Sequence, residues 1–288
     1  MNIKLTSSHK KQEPESGVLY MVGTPIGNLN DLSFRAINVL KKVSLIACED
    51  TRQTLKIMRK YEFKNNLISF NQNNSFNKIP EIIKNLHAGK SCALVSDAGM
   101  PSICDPGEAL VKEARSNGVN IVCIPGPCAA ITALVSSGLP SCKFSFEGFL
   151  PRKSSDRLEI LSEISRHENT TIIYESPNRL KKLLFELKEV CGGDREIIVS
   201  RELTKKFEEH VGDNIDEVID FFKDREVIGE ITLIINGINK SKNNSKVDEF
   251  EIKKDLDYLI KAGLSLSAAS KYLAKKNKLP KSTIYNMY

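Results

Sequence analysis

Two short stretches combine charged side chains with the glycine and proline residues that shape loops. The first, CEDTR, places Glu49, Asp50 and Arg52 directly after an apolar run. The second, SDAGMPSICDPG at residues 96–107, carries two carboxylates among two glycines and two prolines. Carboxylates accept protons and an arginine can orient them, so CEDTR predicts catalytic acid–base chemistry. A structural ion pair between Glu49 and Arg52, with Asp50 capping a helix, is an equally good interpretation.

Three loops that contain glycine or proline follow apolar runs typical of β-strands. They begin at Thr24, Asp97 and Pro125. In a parallel α/β sheet the ligand crevice lies outside the carboxyl ends of the strands. Because glycine lets the backbone approach a ligand and proline fixes the shape of a loop, we expect a preformed small-molecule site there rather than three ordinary turns.

The same loops indicate which kind of ligand they hold. Neither G-x-G-x-x-G nor G-x-x-x-x-G-K-[ST] occurs in the chain, so the usual phosphate cradles of dinucleotide and nucleotide sites are missing. The loops also contain few positive charges. We therefore expect a ligand without phosphate groups.

The pattern of apolar runs predicts the elements that hold these loops. In the first half, short strands alternate with helices, which favours a largely parallel sheet covered on both faces; the strands are 18–22, 44–48, 67–70, 91–96 and 120–124. After Pro140 a second α/β unit begins, with strands at 144–149, 170–176, 196–203 and 230–237. In the loop before the helix at 106–118, Asp105 is placed to cap that helix, with Pro106 at its first position.

Composition shifts divide the chain into five parts. We predict a flexible tail, two α/β domains, a polar linker and a small lysine-rich helical domain, at residues 1–16, 17–124, 125–238, 239–247 and 248–288. The helices of the last part are predicted at 248–261, 265–277 and 281–287.

Positive charge is concentrated in the last part of the chain. Residues 239–288 contain eleven lysines and five acidic residues, which accounts for the whole net charge of +6. From Lys261 onward there are six lysines and no acidic residue. Clustered lysine is typical of a surface that contacts nucleic-acid phosphates, although a lysine-rich composition on a solvated tail explains it equally well.

Cysteine and histidine usage argues against disulfides and metals. The seven cysteines form no C-x-x-C pair, and the four histidines are scattered without ligand spacing. We expect free thiols, a reducing cytoplasm and no bound metal. No apolar run reaches the roughly 18–20 residues of a membrane span, so we expect no membrane partner.

Several multi-residue blocks occur in one fixed order along the chain. They are GTPIGNL-x-DL-x-x-RA, CEDTR, SDAG-x-P-x-x-x-DPG, PGPCAAITAL, EGFLPRK, YES-x-x-RL and RELTK. Over about residues 17–237 they resemble the ribosomal RNA small subunit methyltransferase I family, within the tetrapyrrole-methylase superfamily. The resemblance implies two α/β domains of the class III methyltransferase type with a cofactor cleft between them. It also implies S-adenosylmethionine as the cofactor, a homodimer, and 2′-O-methylation of a cytidine in the decoding region of 16S rRNA.

The resemblance also implies roles for individual residues. The cofactor-binding residues implied are Pro25, Asp97, Gly99, Met100, Ile103, Cys128, Ala129, Tyr174, Glu230 and Ile231. The RNA-binding candidates are Arg152, Lys153, Lys271, Lys275 and Lys281, with a solvated loop as the alternative for the first two. The chain departs from the residues that are common in the family at three positions. Met100 stands where threonine is common, Cys104 where asparagine is common, and Cys128 where many relatives have serine.

Two other functions stay open at the level of sequence. One is a ribosome-assembly factor that binds RNA without catalysis. The other is methylation of a tetrapyrrole carbon or of a modified histidine on the same fold, because one scaffold carries many acceptors.

Overall fold

The computed structural model describes residues 13–238, 249–277 and 279–288. The chain divides into two compact units, Met1–Asn236 and Gly237–Tyr288. Within the described residues, the larger unit contains two five-stranded sheets, and the smaller unit contains helices. In that part of the chain, no helix has the length and apolar character that crossing a membrane requires.

The first sheet is entirely parallel, as predicted. Its strand order is β3-β2-β4-β1-β5. The strands are β1 (Val18–Val22), β2 (Leu45–Cys48), β3 (Leu67–Ser69), β4 (Cys92–Val95) and β5 (Asn120–Ile124). Because β4, β1 and β5 are neighbours, the loops that begin at Asp97, Thr24 and Pro125 leave the same edge of the sheet side by side.

Helices cover both faces of this sheet. They are α1 (Phe34–Lys42), α2 (Thr51–Lys60), α3 (Ser75–His87) and α4 (Glu108–Ser116). On the inner strand β1, Tyr20 faces the core under α1 and α2, and Leu19 faces the core under α3 and α4. Both side chains are fully buried, which explains why this strand is an unbroken apolar run.

The second sheet is mixed, with strand order β6-β7-β10-β8-β9. Only β6 and β7 pair in parallel, and the other pairs are antiparallel. The strands are β6 (Phe144–Phe149), β7 (Thr170–Glu175), β8 (Glu196–Arg201), β9 (Glu209–Asn214) and β10 (Ile231–Ile235). Strand β9 was not predicted from the sequence.

The second sheet also packs helices on both faces. Helix α5 (Ala129–Ser137) covers one face, and Ile26 from the loop after β1 joins its core. The other face carries α6 (Ser154–Arg166), α7 (Pro177–Cys191) and α8 (Ile215–Phe222). Thus Ile26 connects the loops of the first sheet to the core of the second.

The smaller unit has its own apolar core. It contains α9 (Glu249–Lys261), α10 (Leu266–Asn277) and α11 (Lys281–Tyr285). Leu256, Leu273 and Ile284, one from each helix, are fully buried against each other. The three predicted helices are confirmed, with ends that differ by at most two residues.

The start of the described chain corrects one prediction. Glu13 forms an ion pair of 2.6 Å with Arg35, and the backbone N–H of Glu15 donates to the Tyr20 hydroxyl at 2.7 Å. The prediction of a loose tail is therefore wrong for residues 13–16. The rest of that tail, residues 1–12, and the predicted linker at 239–247 lie outside the described residues.

Candidate active-site cavity

Backbone hydrogen bonds join the three loops at the edge of the first sheet. Thr24 and Gly99 exchange two N–H···O bonds, of 2.9 and 3.1 Å. The Thr24 hydroxyl donates to the carbonyl of Ser96 at 3.1 Å, and the N–H of Gly23 donates to the carbonyl of Ile124. The loops therefore form one rigid backbone surface.

Glycine is required where two of these loops cross. A Cβ on Gly126 would lie 2.8 Å from the Cα of Gly23, and a Cβ on Gly23 would lie 2.6 Å from the Met100 sulfur. Real Cβ atoms do not approach backbone this closely. The absence of side chains at Gly23 and Gly126 therefore lets the loops pack in direct contact.

The loop at 97–107 is strongly bent. Gly99, Ser102 and Cys104 all have left-handed φ angles, of 84°, 73° and 62°. For Cys104 this conformation is unfavourable, and asparagine would tolerate it better.

The same bend corrects the expectation for Asp105. Helix α4 begins at Glu108, its N-cap is Gly107, and no side chain caps it. The prediction that Asp105 caps α4, with Pro106 at the first position, is therefore wrong. Because the chain turns at Cys104, the Asp105 side chain lines a cavity instead.

The second sheet supplies the opposite wall through the ends of adjacent strands. Phe149 on β6 is in register with Tyr174 on β7, which is in register with Thr232 on β10. The Tyr174 hydroxyl accepts a hydrogen bond of 3.0 Å from the N–H of Ala130, at the start of α5. Burial raises the pKa of Tyr174, so its hydroxyl stays neutral.

The two walls enclose a cavity of about 500 Å³, within the ~300–1,000 Å³ range of small-molecule sites. Its lining residues are Ile26, Glu49, Asp97, Ala98, Gly99, Met100, Ile103, Cys104, Asp105, Cys128, Ala129, Phe149, Tyr174, Glu175, Ser176, Pro177, Leu203, Gly229, Glu230, Ile231 and Thr232.

This list contains nine of the ten residues for which a cofactor-binding role was expected. The exception is Pro25, which is buried, while its neighbour Ile26 lines the cavity. Which of these residues contact a ligand stays a prediction.

The three residues of CEDTR separate in the structure. Glu49 lines the cavity, whereas Asp50 and Arg52 do not. Asp50 caps α2 by accepting from the N–H of Arg52, and its carboxylate pairs with the Arg52 guanidinium at 2.6 Å. The capping interpretation of Asp50 is confirmed, but the ion pair of Arg52 is with Asp50 rather than Glu49. The Arg52 side chain is 85% exposed.

The residues expected to contact RNA are all exposed and lie outside the cavity. Arg152 and Lys153 follow β6, and Lys153 pairs with Asp156 at 2.9 Å. Lys271 and Lys275 are one turn apart on α10 of the smaller unit.

The cavity is acidic. Five carboxylates line it, and no lysine, arginine or histidine does. Two of the carboxylates are neutralised from outside the cavity: Lys205 pairs with Glu230, and two arginines pair with Glu175. Within the described residues, the other three, Glu49, Asp97 and Asp105, form no ion pair.

Burial raises the pKa of each of these three carboxyl groups. It raises the pKa of Glu49 and of Asp97, and in both cases neighbouring carboxylates add to the effect. Burial raises the pKa of Asp105 to about 6, partly offset by a hydrogen bond from Ser96. Of the carboxyl groups in the cavity, Asp105 therefore titrates close to neutral pH, where a general base is most effective.

A buried ion network supports the second wall. The Glu175 side chain is fully buried and pairs with Arg179 at 2.6 Å and with Arg157 at 3.4 Å. Arg157 also pairs with Glu186 at 2.6 Å, and Arg179 donates to the carbonyl of Leu150 at 3.2 Å. The network thereby fixes the end of β6 and the start of α7 relative to β7.

Sequence reasoning missed three residues of the cavity that the structure makes prominent: Asp105, Phe149 and Glu175. Each stands in a quoted block, DPG, EGFLPRK or YES, so their presence in one cavity could have been proposed from the blocks. The blocks do not predict which way each side chain points.

No group of three histidine, cysteine or acidic residues in the described part of the chain is arranged to hold a metal ion. All seven cysteines are free thiols.

Comparisons with known proteins agree with this architecture. The sequence model of the family Tetrapyrrole (Corrin/Porphyrin) Methylases matches residues 18–219. Among solved structures, a cobalt precorrin-4 methyltransferase superposes with a TM-score of 0.59, at 14% identity, over 76% of this chain and 95% of the other. A uroporphyrin-III C-methyltransferase from Thermus thermophilus, complexed with S-adenyl homocysteine, gives a TM-score of 0.54 at 16% identity, over 76% and 96%. The fold is therefore that of the tetrapyrrole methylases.

Sequence identity is higher to proteins named ribosomal RNA small subunit methyltransferase I than to these solved structures. A protein of Bacillus subtilis (strain 168) named ribosomal RNA small subunit methyltransferase I is 42% identical, over 95% of this chain and 94% of the relative. A protein of the same name from Synechocystis sp. is 39% identical, over 94% and 97%. The chain belongs to the ribosomal RNA small subunit methyltransferase I family of tetrapyrrole methylases.

Proposed function

We propose that the protein transfers a methyl group from S-adenosylmethionine to the ribose 2′-hydroxyl of a cytidine in the decoding region of 16S rRNA, within the small ribosomal subunit. The observation that carries the donor assignment is the charge of the cavity. S-adenosylmethionine contains two cationic groups, a sulfonium and an ammonium, one carboxylate and no phosphate, so its net charge is positive. A cavity lined by carboxylates without any basic side chain fits that charge.

The shape of the cavity supports the same donor. The first wall is formed by the loops at residues 97–105 and 126–129 together with Ile26, which offer backbone hydrogen-bonding groups beside the side chains of Met100 and Asp105. Gly99, Met100, Ile103, Cys128 and Ala129 would hold the donor on this side. Tyr174, Glu230 and Ile231 would hold it on the other. When bound, the donor supplies a methyl group on a positively charged sulfur.

The protein must then align the acceptor hydroxyl, exclude water and take up its proton. We assign the proton to the carboxylate of Asp105, because it lines the cavity and its pKa is raised to about 6 by burial. Glu49 is the alternative acceptor at the same wall. Asp50 and Arg52 are structural in this proposal, since they satisfy each other at the start of α2.

Contact with the RNA is assigned to exposed basic groups. On the smaller unit, Lys281 donates to the Ser267 hydroxyl at 2.7 Å, which brings it against α10, the helix that carries Lys271 and Lys275. No acidic residue follows Asp257 in the sequence. These lysines would contact phosphates, and Arg152 and Lys153 would do so on the larger unit.

The proposal includes a homodimer in the cytoplasm. Helix α5 exposes Ile131 and Val135, one turn apart, with 44% and 76% of their surface accessible. Adjacent exposed apolar side chains of this kind are typical of an interface between subunits. Light scattering on the purified protein measures the number of subunits directly.

The function is tested by transfer of radiolabelled methyl from S-adenosylmethionine to small ribosomal subunits from cells that lack this enzyme. Naked 16S rRNA and a precorrin-type tetrapyrrole are run in parallel. Label on the 2′-oxygen of one cytidine in the subunit supports the proposal. Label on the tetrapyrrole, or no label on RNA despite tight donor binding, overturns it.

A further inference from the structure

Phe149 is an exposed aromatic side chain at the cavity. Its ring lines the cavity and is nevertheless 57% exposed. Among the exposed phenylalanines of the described residues, it alone lines the cavity; the others are Phe34, Phe76, Phe144, Phe185 and Phe207. A single exposed apolar side chain is ordinary on a protein surface, but this one lines the ligand cavity, where a bound substrate would cover it.

The backbone on both sides of Phe149 is fixed. The Cys104 sulfur would lie 2.9 Å from a Cβ on Gly148, the residue before Phe149, and the next carbonyl, of Leu150, accepts from Arg179 at 3.2 Å. The ring lies 5.6 Å from the ring of Tyr174, at an angle of 58°. The hydrogen bond at Leu150 and the contact with the Tyr174 ring position the Phe149 ring, which lowers the ordering entropy that binding to it costs.

The chemistry around Phe149 points to a nucleic-acid base. Proteins that act on RNA recognise unstacked bases by stacking them on aromatic side chains. Three residues later the exposed Arg152 is available for a phosphate, and the carboxylate of Asp105 lines the same cavity. An aromatic surface, a cation and a proton acceptor are the groups needed for a base, a phosphate and a ribose hydroxyl.

We propose that Phe149 is the surface on which the base of the target nucleotide stacks while its ribose is methylated. This inference rests on the proposed function and adds a residue that selects and orients the acceptor. The competing role for the ring is contact with the adenine of the methyl donor. If the ring stacks on the target base, its removal weakens use of the RNA substrate. If it contacts the adenine, its removal weakens binding of the donor.

The test compares Phe149→Ala with Phe185→Ala, which removes a phenylalanine of similar exposure, 55%, away from the cavity. Methyl transfer to unmethylated small subunits is measured together with calorimetric binding of S-adenosylhomocysteine. We expect Phe149→Ala to lower kcat/KM for the subunit by roughly 10–100-fold, as stacking of one base is worth ~1–3 kcal/mol. Its affinity for S-adenosylhomocysteine should stay within about twofold of wild type, and Phe185→Ala should change neither quantity.

Two further variants separate stacking from simple apolar contact. Phe149→Tyr keeps an aromatic face and should recover most of kcat/KM, whereas Phe149→Leu keeps apolar area without a ring face and should not. Full activity of the Leu variant, or a Phe149→Ala defect confined to S-adenosylhomocysteine binding, overturns the stacking role. If wild-type protein transfers no methyl to RNA, the proposed function itself fails; if wild type is active and Phe149→Ala is equally active, only the stacking role fails.

Discussion

The two walls of the cavity differ in whether backbone or side chains form most of the surface. The first wall consists mainly of loop backbone, and its crossing point has room for no side chain at Gly23 or Gly126. The second wall consists of side chains, with Phe149 and Tyr174 in front and the buried network of Glu175 behind them.

The difference has a consequence for how each wall responds to mutation. A backbone wall presents the same hydrogen-bonding groups with many different side chains, so we expect it to tolerate side-chain substitutions except where glycine is required. The side-chain wall depends on the identity of each residue. We therefore assign contact with the acceptor base to the second wall, through Phe149, whereas the donor is held by the backbone of the first wall together with Tyr174, Glu230 and Ile231 of the second.

The largest effect is expected from Glu175→Gln, which breaks the network behind the second wall. Arg157 and Arg179 would be left without their shared carboxylate, and removing one partner of a buried pair costs about 3–5 kcal/mol of unfolding free energy. Urea denaturation measures this cost. Glu81→Gln breaks the exposed pair of Lys78 with Glu81, 2.9 Å apart, and should cost less than about 1 kcal/mol. Equal costs for the two variants would show that the buried network is not structural.

Asp105→Asn tests the acidic group of the first wall. Removal of a general base typically lowers kcat by at least ~100-fold, and we expect that loss with donor binding retained. In the wild type, kcat should also fall as the pH is lowered through about 6, the pKa of Asp105, because the carboxylate becomes protonated. A large loss in Glu49→Gln together with an active Asp105→Asn would transfer the role to Glu49.

Gly126→Ala tests the backbone wall itself. The added Cβ meets the backbone of Gly23 at 2.8 Å, so the crossing loops must separate, at an expected ~1–3 kcal/mol for overpacking. We expect the affinity for S-adenosylhomocysteine to fall together with the stability. Gly118→Ala is the control, because it introduces left-handed strain (φ 72°) with no neighbour within 4 Å, and it should leave that affinity unchanged. Normal donor affinity in Gly126→Ala would contradict a rigid backbone wall.

A smaller effect is the pH dependence of stability in Asp105→Asn. With a pKa of about 6 in the folded state and 3.8 as the ordinary value, Asp105 binds more protons folded than unfolded between these pH values. Its ionisation therefore destabilises the fold progressively as the pH rises between these two values, and the cost stays constant above the folded-state pKa. The gain in melting temperature from Asp105→Asn should be larger at pH 8 than at pH 5, and the reverse order would contradict the raised pKa.

The smallest effect is expected from Cys104→Asn, at the bend of the first wall. Asparagine tolerates the left-handed φ of 62° better than cysteine, so the variant should gain about 0.5 kcal/mol. Cys123→Asn, at an exposed position of strand β5, should lose stability instead, because asparagine is unfavourable in strands. Differential scanning calorimetry compares the two, and a loss in Cys104→Asn would show that the packing of the sulfur against Gly148 outweighs the strain.

Sequence patterns predicted the first sheet well and the second less well. Strands β1 and β4 are buried on both faces, so they appear as continuous apolar runs between loop signals. Strand β9, EHVGDN, lies at the edge of its sheet and has no fully buried residue, so it leaves no apolar pattern to detect. Its existence depends on pairing with β8, a contact between strands that local propensity does not encode.

The sequence by itself determined the family, the parallel first sheet and the loops that surround the cavity, because apolar periodicity and glycine–proline blocks are local signals. Only the tertiary structure decided where the charged groups point. Asp50 and Arg52 pair with each other because the start of α2 provides a cap position, while the bend at Cys104 turns Asp105 into the cavity. Side-chain direction follows from backbone dihedrals and from contacts between distant segments, and those are fixed only when the whole chain has folded.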